Sequence, residues 1–351
     1  MASPPRTTLI FDNFPTDWTV GVDLHFFNTN NLLKGIKLIP QGIHVVHWAQ
    51  DPNSIRSGYF FEAHEGDVIV LYWDSQNETM HVGDEVGELN IRKQMDNVSG
   101  FYPYMIAYPG DVTKWRDLTR YVKWSQVEYI LPKCHIDSVM TSSDENNLLL
   151  KTLQQHSKDR NIANDPIVNS IIDQSDIELK FTIIDLEKRV RPNSSPEEKT
   201  KDALDKSWFL KQLLISGYNN SDDTLLGEFE LSFINMVIFA NYSSSTQWLK
   251  ILRISLNCKD LVARRSQLFL KLMNQFYLML THLPEEYMDE FIDESFLETY
   301  VGEFDYTVKE LGLHSLVKVV IDIKALLLSK FGINVDGLIN DEDDDPVVVD
   351  I

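Results

Sequence analysis

The sequence predicts an α+β multidomain protein: an N-terminal β-rich, sandwich-like domain, then an all-α helical domain, then an acidic extended tail. Three observations carry this. As far as Tyr104, short apolar runs recur between clusters of turn-making residues, the spacing of antiparallel sheets packed as a sandwich. From Ser195 onward apolar residues recur at helical intervals instead. Between these halves, and again after Asn340, the composition turns polar or acidic. The boundaries read as 1–140 for the β-rich domain, 141–180 for a polar flexible linker, 181–331 for the helical domain and 332–351 for the tail.

Candidate strands are Thr7–Phe11, Trp18–Phe27, Ile43–Ala49, Gly58–Ala63 and Val68–Trp73. Turn-makers separate them: Asp12-Asn13-Phe14-Pro15, Asn28–Asn31, Asp51-Pro52-Asn53-Ser54 and Glu65-Gly66-Asp67. The stretch Gly35–Trp48 organises this half. Pro40 fixes φ, Gly42 can take the positive φ of a tight turn, and Ile43–Trp48 contains only strand-formers, so both its faces read as buried. Trp115, Leu118, Tyr121 and Val122 mark one amphipathic helix before the apolar segment Val127–Leu131. The polar linker holds one helix near Asn146–His156, and Phe181–Asp185 is a short β-like run.

Ser195-Pro196-Glu197-Glu198 supplies a cap, a first-turn proline and a Glu three residues after the cap, which starts a helix. Leu204, Trp208 and Ile215 mark its side and Gly217 its end. Leu225–Asn241 is apolar around most of its circumference and reads as the buried central helix. Thr246–Leu256, Leu261–Leu283, Glu285–Tyr300 and Phe304–Lys330 follow, with no fixed-period repeat, so a bundle or short right-handed superhelix is expected.

With 351 residues the chain can bury two cores. Its net charge of −21 argues against nucleic-acid phosphate as the main partner and favours a basic protein surface. Cys134 and Cys258 fall in different predicted domains, the pattern of a reducing compartment and not of a disulfide scaffold. Met1–Thr8 has no apolar signal core, and the longest apolar run, Phe233–Ala240, is far too short to span a membrane. A cytoplasmic and nuclear protein is expected.

No catalytic, cofactor-binding or metal-binding set emerges. His44 and His47 lie three apart on a strand and so point to opposite faces; a site with His25 or His64 is conceivable, but satisfied core or rim histidines are the better reading. Cys134-His135 lacks a second ligand pair, and Cys258 reads as a buried helical thiol. Phosphate-loop, dinucleotide, nucleophile-elbow and zinc-protease motifs are missing. Among 53 carboxylates chance pairs abound, so none is assigned as an acid–base dyad. The aromatic runs Trp18 to Phe27, Tyr59-Phe60-Phe61 and Phe101-Tyr102-Pro103-Tyr104 could stack bases or sugars, but against the acidic background sandwich core is the stronger reading.

Two stretches are candidates for partner binding. Asn241–Trp248 joins the central helix to the next and is either a capped interhelical turn or a partner-facing corner carrying Tyr242 and Trp248. At the end, Asp341–Asp345 is followed by Pro346, Val347, Val348, Val349, Asp350 and Ile351. This is either a solvated acidic tail or a strand that adds to an exposed sheet edge on a partner.

Gly21-Val22-Asp23 with Gly35–His44 resembles the signature of the Aar-two family. Further blocks agree in order: Gly58–Phe61, Leu204–Trp208, Gly227–Phe233, Asn241–Ser244 with Gln247-Trp248, and Leu283–Glu285. The resemblance implies a non-enzymatic cistron-splicing factor that chaperones assembly of the U-five small nuclear ribonucleoprotein. It would bind the RNase-H-like and Jab/MPN-type domains of the large spliceosomal scaffold protein, as a monomer within the complex. It would thereby delay binding of the helicase and of RNA, with little direct nucleic-acid contact of its own. Gln41 stands where the family often has a second proline, which leaves that turn less rigid. The competing readings are a β-sandwich hydrolase or carbohydrate-binding protein with a helical accessory domain, and a direct RNA binder.

Overall fold

Strand β1, Thr7–Asp12, is buried along nearly its whole length because it runs through the middle of a five-stranded sheet. The computed structural model describes residues 6–159, 177–185, 190–292 and 294–335. They belong to two compact units, Met1–Lys180 with Ile238–Asn241, and Phe181–Val237 with Tyr242–Ile351.

In the first unit the chain alternates between two sheets. After β1 come β2 (Thr19–Val22), β3 (His25–Asn28), β4 (Gly35–Ile39), β5 (Gly42–Ala49), β6 (Ser57–Ala63), β7 (Val68–Asp74) and β8 (Thr79–Val82), with β9 (Met105–Ala107) and β10 (His135–Asp137) further on. One sheet has the order β8-β7-β1-β4-β9 and the other β10-β6-β5-β2-β3. Leu9, Ile36, Val46, Phe61 and Leu71 from both sheets share one core and are fully or almost fully buried. Each such side chain contributes about 1.5–3 kcal/mol.

Three details differ from expectation. The run Trp18–Phe27 is two strands, because Asp23 takes a left-handed φ of 53° and turns the chain. The first sheet is mixed, with β1 parallel to β7 and β4 parallel to β9. The chain leaves that sheet for the other between those strands, and such a crossover permits parallel pairing. Helix α1, Glu88–Phe101, was not expected from sequence: its apolar residues are sparse, with Ile91, Val98 and Phe101 only partly buried against the sheet.

The predicted turn at Pro40-Gln41-Gly42 is present, with Gly42 at φ 132° opening β5. Gly35 has φ 147°, and a β-carbon there would collide with the Leu9 carbonyl oxygen. Helices α2 (Thr113–Leu118), α3 (Trp124–Ile130) and α4 (Ser143–Asp159) complete the unit. Within the stretch expected as a linker, α4 is helical and Leu179 is fully buried.

The second unit is built from α5 (Pro196–Leu204), α6 (Ser207–Gly217), most of α7 (Asp222–Phe239), α8 (Tyr242–Leu256), α9 (Lys259–Arg264), α10 (Ser266–His282), α11 (Glu285–Phe291), α12 (Glu294–Glu310) and α13 (His314–Phe331). The Ser195 cap forms as predicted: Glu198 N–H donates to Ser195 Oγ at 3.2 Å, and Ser195 N–H to Glu198 Oε2 at 3.0 Å. The helix it starts ends early. Asp205 adopts extended φ/ψ, and its carboxylate accepts from Ser207 N–H and Asp260 N–H. That break shifts the helical phase, so Leu204 and Ile215 are exposed while Phe209, Leu210, Leu213 and Leu214 face inward. Lys330 of α13 donates to the carbonyls of Leu280, Thr281 and Leu283, closing the end of α10.

Gly35→Ala combines a forbidden φ with a backbone collision and is expected to cost about 2 kcal/mol or more. Gly42→Ala meets no atom within 4 Å and is expected to cost less. Urea melts of the two variants check this order.

Candidate functional site

The family-signature residues converge on two buried polar hubs. In the first unit the hub is Asp23, fully buried in the turn after β2. Its Oδ2 accepts from His44 Nδ1–H at 2.7 Å and from Tyr108 O–H at 2.5 Å; its Oδ1 accepts from Val45 N–H at 3.0 Å. The other nitrogen of His44 donates to the Pro40 carbonyl at 2.8 Å. One carboxylate thereby ties the β2–β3 turn to β5, to the Pro40 turn and to the segment after β9. Burial, then the neighbouring carboxylate, raises Tyr108 far above an ordinary phenol, so it stays a donor.

His47 faces away from this cluster, as strand alternation requires. Its Nε2–H donates to the Asp23 carbonyl at 3.1 Å, and Nδ1 accepts from Arg56 Nη1 at 3.3 Å. Burial, and then the positive charge of Arg56, lower its pKa from 6.5 to about 3. Gly21 is required beside it, since a β-carbon there would collide with the His47 ring. Both histidines are therefore core groups with both ring nitrogens bonded.

In the second unit the hub is Glu228, on the apolar helix α7 and buried. Its Oε1 accepts from Thr182 N–H at 3.1 Å, Tyr218 O–H at 3.1 Å and Gln247 Nε2–H at 2.7 Å; its Oε2 accepts from Thr182 Oγ1–H at 2.8 Å. Gln247 also donates to the Thr182 carbonyl at 2.9 Å. The β-like run Phe181–Asp185 is thus not paired as a strand but clasped by side chains from α7, α8 and the end of α6. Desolvation raises the pKa of Glu228, and the four hydrogen bonds oppose it.

Trp248, predicted for a partner-facing corner, does not reach the surface. The expected turn is helix from Tyr242 onward, so Trp248 sits a turn and a half inside α8 and is 0% exposed. Its ring stacks on Phe229 at 5.7 Å and 6°, touches Phe233 and Phe276, and its N–H donates to Met279 Sδ at 3.3 Å. Tyr242 is 68% exposed at the start of the same helix. Asn241, just before it, donates from Nδ2 to the carbonyls of Asp137 and Met140. Pro346, Val347, Val348, Val349, Asp350 and Ile351 lie outside the described residues. Sequence reasoning did not single out Asp23, Glu228 or Gln247 as hubs; the visible signal was a carboxylate inside an otherwise apolar segment.

These hubs hold structure and do not offer chemistry to a substrate. Every oxygen of Asp23 and Glu228 is engaged by protein donors, and both groups are enclosed. Cys134 is buried, and desolvation followed by Glu128 pushes its thiol up to about 11; burial and then Asp205 also hold Cys258 well above an ordinary thiol. Neither is a ready nucleophile. Among the described residues no group of three or more His, Cys, Asp or Glu could hold a metal ion, and no helix is long and apolar enough to cross a membrane.

A mixed-sheet unit and a helical unit each enclose one fully hydrogen-bonded carboxyl group. Comparison with known proteins agrees with the signature. Residues 5–132 match the AAR2 N-terminal domain, and residues 181–336 match the AAR2 C-terminal repeat region. The chain belongs to the AAR2 (Aar-two) family. It is 29% identical over 300 residues to the A1 cistron-splicing factor AAR2 of Saccharomyces cerevisiae, covering 82% of this chain and 80% of that protein. It is 23% identical over 372 residues to the human AAR2 homolog, covering 98% and 93%, and 22% identical over 318 residues to that of Caenorhabditis elegans, covering 86% of each.

Two outcomes are expected. The unfolded state protonates His47 near pH 6.5 and the folded state only near 3. Stability therefore falls with acidification across that window, at up to about 1.4 kcal/mol per pH unit. His47→Gln flattens that slope in denaturant melts. Glu228→Ala strands four donors and is expected to cost about 2–4 kcal/mol. Glu228→Gln keeps Oε1 as acceptor and lets its amide donate to Thr182 Oγ1. Because the native carboxyl has a raised pKa, it loses stability as pH rises above 4.5, and the Gln variant removes that loss in thermal melts.

Proposed function

We propose that this protein is a pre-mRNA splicing factor that chaperones assembly of the U-five small nuclear ribonucleoprotein. It binds the RNase-H-like and Jab/MPN-type domains of the large spliceosomal scaffold protein and delays binding of the helicase and of RNA. It acts in the cytoplasm and nucleus, as a monomer within that complex and without enzymatic activity of its own. The observation that carries the reading is the match of both AAR2 domains, in order, in a chain similar over most of its length to a cistron-splicing factor.

The physical features support it. A charge of −21 suits a basic protein surface and opposes RNA. The hubs are enclosed and serve rigidity, which a clamp needs and an enzyme's acid pair does not. The terminal Pro346–Ile351 segment supplies backbone for strand addition to the partner, and Tyr242 is an exposed aromatic beside the pinned Asn241.

Purification of the tagged protein from cells is expected to bring down the scaffold protein in a particle lacking the helicase. Recovery with stoichiometric helicase, or without the scaffold, would overturn the reading. Removal of Pro346–Ile351 is expected to weaken the complex while leaving the melting of both units unchanged, as measured by titration of the purified scaffold domains.

A further inference from the structure

The first unit carries an open groove of about 700 Å³ that the buried hubs do not explain. It lies where the short edge strand β8 faces the ends of β5, β7 and β10, and three of the chain's seven tryptophans line it: Trp18, Trp48 and Trp73. Trp18 and Trp73 are half-buried, with ring centroids 4.8 Å apart at 64°. Met80 of β8 adds a flexible apolar wall.

The indole N–H groups of this groove have no acceptor within the protein, as is also true of the half-buried Trp124 and Trp208 among the described residues. Trp115 and Trp248 each donate to an acceptor inside the protein. Among the described residues, none of the three groove tryptophans has such an acceptor, and none of their nitrogens is sealed from solvent. A tryptophan this buried ordinarily finds a partner for its N–H. The groove therefore combines aromatic faces with indole N–H groups that no protein acceptor takes up. Glu78 and Asp137 stand at its rim, and among the described residues neither pairs with a lysine or arginine.

We propose that this groove is a docking site for an extended, proline-containing peptide segment with basic flanks, carried by a partner protein. A polyproline-type backbone makes no internal hydrogen bonds, so its carbonyls are free to accept from indole N–H groups. Its rings pack on aromatic faces, and its preformed shape loses little entropy on docking. Lysine or arginine on either side answers Glu78, Asp137 and the acidic balance of the chain. The same carboxylates repel nucleic-acid phosphate. The site does not depend on the assembly role or on the terminal segment, and its test is separate from theirs.

The test titrates the full-length protein with a short fluorescein-labelled peptide, Lys-Pro-Pro-Leu-Pro-Arg, and follows anisotropy. Saturable binding is expected, weakened about tenfold or more by Trp73→Ala, the size of loss that an aromatic contact residue produces. The rim double variant Glu78→Lys with Asp137→Lys is expected to weaken it severalfold, as is added salt. Thermal melts show which variants remain folded, and the rim variant decides the matter if Trp73→Ala does not. The proposal is overturned if the folded protein shows no saturable binding, or if the folded variants bind as the parent does. It is also overturned if an oligouridylate or a chito-oligosaccharide occupies the groove in preference to the peptide.

Discussion

A carboxyl group removed from water must find its hydrogen bonds inside the protein, and that requirement shapes both units. Asp23 and Glu228 are each taken into an apolar interior and each surrounded by donors from distant parts of the chain. An unpaired buried charge would cost several kcal/mol, so neighbouring residues are fixed in identity as well as position. His44, Tyr108 and the Val45 amide answer Asp23; Thr182, Tyr218 and Gln247 answer Glu228. The burial of aliphatic side chains supplies most of the stability, and the hubs reinforce the register that it selects: a shift of one residue in β5 would remove His44 and the Val45 amide from Asp23.

This constraint gives the signature blocks a physical meaning. Gly21 leaves room for the His47 ring, Gly35 lets β4 approach the Leu9 carbonyl, and Pro40 presents the carbonyl that His44 needs. Gln247 and Trp248 are adjacent in sequence but act differently, one in the Glu228 clasp and the other in an aromatic stack on α7 and α10.

Much of this was legible beforehand. The β-then-α order, the Pro40 turn, the Ser195 cap, the buried central helix and the core placement of His44 and His47 follow from residue type and spacing. What was not legible has identifiable causes. The break at Asp205 divides a run of good helical pattern: its carboxylate accepts from the amides of Ser207 and of the sequence-distant Asp260, a partner that local periodicity does not reveal. Helix α1 lacked the apolar stripe that periodicity detects. Trp248 beside serines and a threonine resembled a capped corner, yet the helix begins six residues earlier and carries the ring inward. The hubs themselves are invisible to local rules, since Asp23 and Tyr108 lie far apart in the chain.

Amide hydrogen exchange tests the central claim most directly. Val45 N–H and Thr182 N–H donate to Asp23 and Glu228. If the two carboxyls anchor their units, both amides exchange only through global unfolding, with protection among the highest in the protein and falling together with denaturant. Exchange of either amide by local opening, at the rate of an exposed loop in a folded protein, would contradict the account.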